Sequence, residues 1–362
     1  MVTRVLQTLL NILPEPRKAA ATTASAPALN ELNEGIADFY DESSGIWEDM
    51  WGQHMHHGYY ERTGSFSLEE HRVAQVLMID RTIEWAYGGG GGGGGGGGRD
   101  NKGVAANMAA EGRMLDVGCG IGGSSRHIVR SLGSGWQGAG VTLSPAQAQR
   151  ANELTLDAFG DNPPIEYFVQ DAVQLTSEGD EYDLVWSMES AEHIEDKRAF
   201  LREMHRVLKP GGRIIVVTWC HRSTKGKELT DDERSLLKSL CDAYFLPKWC
   251  SMDRYVEICR ESESANNSNG GEPGTDDDAD ISPLFENVRT TDWSEKVAPF
   301  WGGVIESAAQ PKGLVNLFTK TGLRTIRGAF VMPLMQEGYK SGLIEFQLLT
   351  ATKPQRAETT SC

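Results

Sequence analysis

Residues 115–123 read Leu-Asp-Val-Gly-Cys-Gly-Ile-Gly-Gly, an apolar stretch that runs into four glycines within six positions. Without a Cβ, such a run turns tightly and lets backbone approach a ligand closely. Arg113–Val117, just before it, has the pattern of a short buried strand, and Ser124–Leu132, just after it, that of a helix. Strand, glycine turn and helix together open a βαβ unit. The alternation continues down the chain. Gly138–Leu143 is a second strand, followed by a helix over Pro145–Ala158 with Ser144 as N-cap and proline at the first helical position. Ile165–Gln170 and Tyr182–Met188 are the third and fourth strands. A helix over Lys197–Leu208 stops at Pro210-Gly211-Gly212, and Arg213–Trp219 is the fifth strand. Val288–Trp293 and Leu343–Thr350 add two more, one of them antiparallel. The expected fold is α/β, with a doubly wound, seven-stranded, mostly parallel sheet. Asp231–Arg260 and Ala298–Gly342 are helix-rich and aromatic. They should form a helical lid over the carboxyl ends of the strands, where open α/β sheets bind ligands.

Around this core the 362-residue chain divides unevenly. The first 30 residues hold Arg4, Arg17 and Lys18 against one acid, Glu15, so residues 1–34 form a transit-like or disordered terminus. Residues 35–87 make an N-terminal helical segment. Residues 88–98 are eleven consecutive glycines, a flexible linker. The ligand-binding core spans 113–222, and 223–354 holds the lid and the final strands. That last part is interrupted at 261–283 by an acidic insertion with seven acids and no base, expected to be disordered. The net charge of −16 repels phosphate backbones, so sequence-independent nucleic-acid binding is not expected. Six cysteines without a C-x-x-C pair signal neither a zinc site nor a disulfide framework. No apolar run approaches the ~20 residues needed to span a bilayer.

Gly118-x-Gly120-x-x-Gly123 matches the dinucleotide fingerprint, so its surroundings must decide the ligand. Asp116, two residues before the first glycine, would repel a pyrophosphate and suits the cationic α-amino group of a methionine moiety. The second strand ends in Thr142-Leu143-Ser144, without the acid that usually holds an NAD ribose. The third ends in Asp171-Ala172, where a carboxylate can accept from an adenine amino group. These features favour S-adenosyl-L-methionine over NAD.

Five further blocks sharpen the picture. Gly35–Tyr60 contains Asp-Phe-Tyr-Asp and ends in His-Met-His-His-Gly-Tyr-Tyr. Val185–His193 is Val-Trp-Ser-Met-Glu-Ser-Ala-Glu-His, and Pro210–Arg222 leads from Pro-Gly-Gly into the fifth strand. Asp292–Trp301 opens Asp-Trp-Ser, and Met332–Tyr339 opens Met-Pro-Leu-Met. With these blocks the chain resembles the γ-tocopherol methyltransferases of the plastid vitamin E pathway, from about Gly35 to about Pro354. Some plant alkaloid N-methyltransferases are similar across the same blocks. The resemblance implies a Rossmann-like class I methyltransferase with a type 11 domain. It implies that Asp116, Gly118, Cys119 and Gly120 contact the methionine portion of S-adenosyl-L-methionine. Thr142, Leu143 and Gln147 would approach the ribose, and Asp171 and Ala172 the adenine. Ser187 would line the floor and Tyr40 would close over the methionine end. Ala191 stands where family members usually carry glycine, and its methyl group is expected to narrow the acceptor pocket. A plastid location is implied, with a cytoplasmic one as the alternative.

The acceptor implied by the resemblance is a prenylated phenol, methylated at a ring carbon ortho to its hydroxyl (γ- to α-tocopherol, δ- to β-). Such a carbon becomes nucleophilic when the phenol gives up its proton. His193 is the first candidate base, because imidazole titrates near neutral pH, and Glu192 or Glu189 would orient it or take the proton. His54, His56 and His57 are closely spaced, but no Cys or carboxylate completes a ligand set, so no metal is expected. His56 and His57 are instead expected to bind the acceptor or act as a second base. Trp51, Tyr59, Trp219 and Trp301, with Trp249 and Trp293, would wall a chromanol head and its tail. The lid helices would then touch the membrane peripherally. Three other readings stand beside this one. They are alkaloid-type N- or O-methylation, methylation of a prenyl-quinol precursor, and a cofactor-binding protein without turnover.

Overall fold

The computed structural model describes residues 26–64, 66–88, 108–244, 246–262, 282–309 and 323–356. Residues 1–25, all but the first glycine of the linker, and most of the acidic insertion lie outside the described residues. Five strands, β1 (Gly112–Val117), β2 (Trp136–Thr142), β3 (Ile165–Val169), β4 (Tyr182–Met188) and β5 (Leu208–His221), run parallel. β6 (Glu286–Asp292) and β7 (Ile344–Thr352) complete one seven-stranded sheet in the order β3-β2-β1-β4-β5-β7-β6. β7 is antiparallel to both β5 and β6. The chain builds outward from β1 in one direction and then, from β4, in the other. The crevice at the carboxyl ends of β1 and β4 is therefore the place where such a sheet takes its ligand.

The helices are α1 (Ala26–Trp51), α2 (Leu68–Tyr87), α3 (Gly123–Leu132), α4 (Pro145–Phe159), α5 (Lys197–Val207), α6 (Asp231–Tyr244), α7 (Met252–Cys259), α8 (Ser294–Ala309) and α9 (Leu323–Lys340). Their starts follow local chemistry. The Ser144 hydroxyl accepts from Gln147 N at 3.0 Å with Pro145 in the first turn, as the sequence signals. Asp196 caps α5 by accepting from Arg198 N and Ala199 N, and Ser67 with Glu70 forms a capping box on α2. Double winding shows in the alternation along β5. Ile214 and Val216 pack with Phe200, Leu201 and Met204 of α5 and with Tyr255 and Ile258 of α7. Ile215 and Val217 pack on the other face with Met78, Ile79 and Ile83 of α2 and with Ile128 and Val129 of α3. A third cluster joins Trp51 of α1, Leu240 of α6, Phe300 and Trp301 of α8, and Met335 of α9 into a lid.

Two boundaries differ from the sequence reading. α1 begins at Ala26 and runs unbroken past residue 35, so no domain edge falls between 34 and 35. β5 begins at Leu208, directly where α5 ends, and carries Pro210-Gly211-Gly212 inside it. The pairing slips there, from Tyr182↔Leu208 to Leu184↔Arg213, and the irregularity accommodates a residue with no N–H to donate. The final strands fall as expected, β7 pairing along β5 from Arg213↔Thr352 to His221↔Ile344. The 223–354 portion is thus part of the central sheet as well as its lid.

Candidate active site

The glycine turn sits at the carboxyl end of β1. Gly118 has φ +73°, in the left-handed region, and a Cβ there would lie 2.1 Å from the Ser190 Cβ. A Cβ on Gly123 would lie 2.0 Å from the Gln53 carbonyl oxygen. The turn is therefore clamped between the residues after β4 and the stretch that follows α1. The cleft it forms, partly open to solvent, is lined by Asp116, Gly118, Cys119, Gly120, Thr142, Leu143, Gln147, Asp171 and Ala172. Tyr40, His56, Glu189 and His193 face the same cleft. Ser187 does not. It lies fully buried beneath the floor, where its hydroxyl pairs with Ser190 Oγ at 2.8 Å, and Ser190 Oγ donates to the Val117 carbonyl at 2.7 Å. Ser187 and Ser190 thus tie the end of β4 to the end of β1.

The polar groups of the cleft are prepared for a ligand. Asp116 Oδ2 is buried and has no partner among the described residues. Burial outweighs the hydrogen bonds from Ser125 and lifts this carboxyl to about 7. An ionised carboxylate in such a position is stabilised by a cation. Thr142 Oγ1 donates to Gln147 Oε1 at 2.8 Å, and Gln147 Nε2 donates to Ser44 Oγ at 3.0 Å. Asp171 accepts from Val173 N at 3.1 Å and from Asn33 Nδ2 at 2.8 Å.

Asn33, Ile36 and Ala37 line the cleft and escaped the sequence reading, as did Ser44, which accepts from Gln147. Their signal was helical spacing. Asn33, Tyr40, Ser44 and Glu48 recur at seven and four residues, so they share the face of α1 that lies across the cleft. From that face Tyr40 meets His193, Asp41 meets Ser144, and Glu48 pairs with Arg150 at 2.7 Å.

The candidate catalytic residues separate on inspection. Glu189 has φ +51°, uncommon for a residue with a side chain. Its Oε1 accepts from His57 N at 2.6 Å, and its Oε2 accepts from His57 Nδ1 at 2.7 Å and Trp219 Nε1 at 3.1 Å. Burial alone would raise this carboxyl, but the pull of the His57 ring and the hydrogen bonds from His57 prevail and hold it below the usual range. Glu192 points elsewhere. It accepts from Thr218 Oγ1 at 2.8 Å, and burial together with the Glu189 charge raises it to about 8. His193 shares a 2.9 Å hydrogen bond with the Tyr40 hydroxyl. Burial, reinforced by the nearby Lys197 charge, pushes His193 down to about 3. An imidazole that resists protonation this strongly makes a weak proton acceptor, which counts against the base role expected of it. Lys197 Nζ donates to the carbonyls of Ala191 (2.8 Å), Glu192 (3.3 Å) and Ile194, and so fixes the 3₁₀ turn Ala191–His193.

The expected acceptor residues also divide. His57 and Trp301 meet ring to ring, as do His57 and Trp219, with centroids 5.2 and 5.7 Å apart. Trp51 instead packs on His71 and Phe300 inside the lid core. Tyr59 packs on Trp293, with Lys296 Nζ 5.7 Å from its ring centre. Of these expected acceptor residues His56 borders the cleft, whereas Trp51, His57, Tyr59, Trp219 and Trp301 do not. The Ala191 methyl group is fully buried in the hydrophobic core with Val185 and Phe200, so it does not narrow a pocket. The three neighbouring histidines do not converge on a point. His54 and His56 lie ring to ring at 5.4 Å, while His57 turns to Glu189.

A methyltransferase-domain family model matches residues 115–216, from the glycine turn to the middle of β5. The "Probable tocopherol O-methyltransferase, chloroplastic" of Oryza sativa subsp. japonica is 45% identical over 329 residues, covering 90% of this chain and 80% of the relative. The "Tocopherol O-methyltransferase, chloroplastic" of Arabidopsis thaliana is 40% identical over 342 residues, covering 93% of this chain and 87% of the relative. The chain belongs to the tocopherol methyltransferase family. This family member is an S-adenosylmethionine-dependent methyltransferase. Its cleft fits that cofactor independently, through the free Oδ2 of Asp116 and the glycine turn. A solved geranyl diphosphate C-methyltransferase from Streptomyces coelicolor A3(2), in complex with Mg²⁺, geranyl diphosphate and S-adenosyl-L-homocysteine, superposes with a TM-score of 0.61. It is 17% identical and covers 89% of this chain and 97% of its own, a likeness that concerns the fold alone.

Proposed function

We propose that this tocopherol methyltransferase family member methylates the phenolic ring of a tocopherol at the carbon ortho to its hydroxyl, converting γ- to α- and δ- to β-tocopherol. The observation that carries the reading is the reach of the 45% identity. It covers 90% of the chain and so takes in the N-terminal and lid segments that wall the acceptor side, beyond the cofactor core. S-adenosylmethionine supplies an already activated methyl group, so the protein's task is alignment, water exclusion and handling of one proton. In this reading Asp116 holds the α-amino group, Thr142 and Gln147 the ribose, and Asp171 with Ala172 the adenine. Tyr40, anchored by His193, covers the methionine end. Trp219 and Trp301 supply apolar wall for the chromanol head. The plastid is the proposed location, in line with the chloroplastic relatives. No helix among the described residues is long and apolar enough to cross a membrane, and the proposed contact with the tail-bearing bilayer is peripheral.

Incubation with methyl-labelled S-adenosylmethionine and γ- or δ-tocopherol tests this directly. Label in α- or β-tocopherol is the expected product. Turnover confined to amines or to a prenyl-quinol in a parallel acceptor panel would replace the acceptor while leaving the methyltransferase intact.

A further inference from the structure

His57 lies just behind the cleft wall, and its ring is held more firmly than packing requires. Its backbone N–H and its Nδ1–H both donate to the Glu189 carboxylate, at 2.6 and 2.7 Å. Glu189 itself is kept in a left-handed conformation by the end of β4, a form of local strain that concentrates at functional sites. With Nδ1 committed, Nε2 is the nitrogen left to exchange a proton. It is buried and unpartnered among the described residues. Around the His57 ring stand Phe300 at 4.3 Å, Trp301 at 5.2 Å, Trp219 at 5.7 Å and Tyr339 at 6.4 Å between centroids. Trp301 Nε1 and the Tyr339 hydroxyl are likewise buried without partners among the described residues. Native interiors leave few buried polar atoms unpaired, because each forfeits the hydrogen bonds it would make in water. Three of them on adjoining rings mark a place where a ligand hydroxyl completes the bonding. An aromatic cage with a few polar tips suits a phenol's flat ring and its single O–H.

We propose that His57 Nε2 takes the hydroxyl proton of the phenolic acceptor, that Glu189 is the positioning carboxylate behind it, and that Trp219, Phe300, Trp301 and Tyr339 form the acceptor-ring site. The assignment rests on the phenol-methylating reading above. The O–H proton passes to Nε2, and the phenolate's ortho carbon bonds to the sulfonium methyl. The methyl–sulfur bond breaks with its electron pair left on sulfur. The resulting dienone loses its ring proton to water and recovers a hydroxyl proton from His57. One proton is released overall, and His57 returns to its starting state. Phe300 and Trp301 come from α8 and Tyr339 from α9, so the lid helices are the elements that give way to admit the ring. His193 then serves as the anchor of Tyr40.

The test uses the full chain, S-adenosylmethionine and γ-tocopherol. His57→Gln should lower kcat about 100-fold while cofactor affinity by calorimetry stays at the wild-type value. His193→Gln should lower kcat less than about 10-fold. A ring-fluorinated phenol, already more acidic, should recover part of the rate lost in His57→Gln. Tyr339→Phe removes an unpaired hydroxyl, so the fold is retained. It should raise the acceptor KM about 5- to 10-fold with cofactor affinity unchanged. His57→Gln turnover within threefold of wild type, or an unchanged acceptor KM in Tyr339→Phe, overturns the assignment while the methyltransferase reading stands. A wild-type chain that methylates no phenol overturns both.

Discussion

The cofactor cleft and the aromatic cage behind Glu189 are neighbours built by opposite means. The cleft takes Asp116, Thr142, Gln147 and Asp171 from within a few positions of the ends of β1, β2 and β3, with α1, the stretch after it and the end of β4 supplying the rest of its wall. The cage is assembled from side chains at 57, 219, 300, 301 and 339, drawn from four separated segments, with His57, Phe300 and Trp301 buried and Trp219 and Tyr339 partly so. The first arrangement is preformed and open, and it reads one ligand through fixed donors and acceptors. The second is closed, apolar and dependent on how the lid packs. Cofactor affinity and acceptor choice should therefore respond to different substitutions, and the acceptor side should be the easier half to retune.

The sharpest break is at Gly118. Valine there meets both an unfavourable φ and the Ser190 side chain. A loss of about 3–5 kcal/mol in stability and no calorimetric signal for S-adenosylmethionine are expected. Trp51→Ala removes a ring from the lid core and should cost about 3–4 kcal/mol by denaturant titration. Its cofactor affinity should be unchanged at temperatures where it is folded. Weakened cofactor binding there would mean that the lid also shapes the cleft.

Asp116→Asn should weaken the cofactor about 30- to 100-fold, the loss of one buried charge-assisted contact. The wild type adds a pH signature. Burial raises the Asp116 carboxyl to about 7, so it is largely protonated below that pH and must release its proton to hold an ammonium group. Affinity should therefore climb as pH rises from 6 through 7, and Asp116→Asn should abolish the climb. A flat wild-type profile would remove Asp116 from cofactor binding. The smallest effect belongs to Trp219→Phe, which keeps the wall but loses the bond to Glu189. A fall in kcat of about 5- to 10-fold, with cofactor affinity unmoved, would confirm that this tryptophan acts on the acceptor side alone.

Much of this was legible in the chain itself. The glycine turn, the alternation of apolar strands with helices and the Ser144-Pro145 cap determine a parallel sheet with its crevice at β1 and β4. Asp116, Thr142, Gln147 and Asp171 follow, because residues close to a strand's carboxyl end have nowhere else to go. The acceptor half was not legible in the same way. Trp51 and Tyr59 flank His57 within nine residues, yet one is buried in the lid core and the other lies against Trp293. Glu189, Glu192 and His193 are near neighbours in sequence, but the turn between them aims each at a different environment. Glu189 meets two donors of His57 and stays charged, Glu192 meets Thr218 and that charge, and His193 meets Tyr40 in a dry pocket. Sequence names residues able to carry a proton. Burial and the neighbouring charge decide which of them does, and only the packed structure brings those neighbours together.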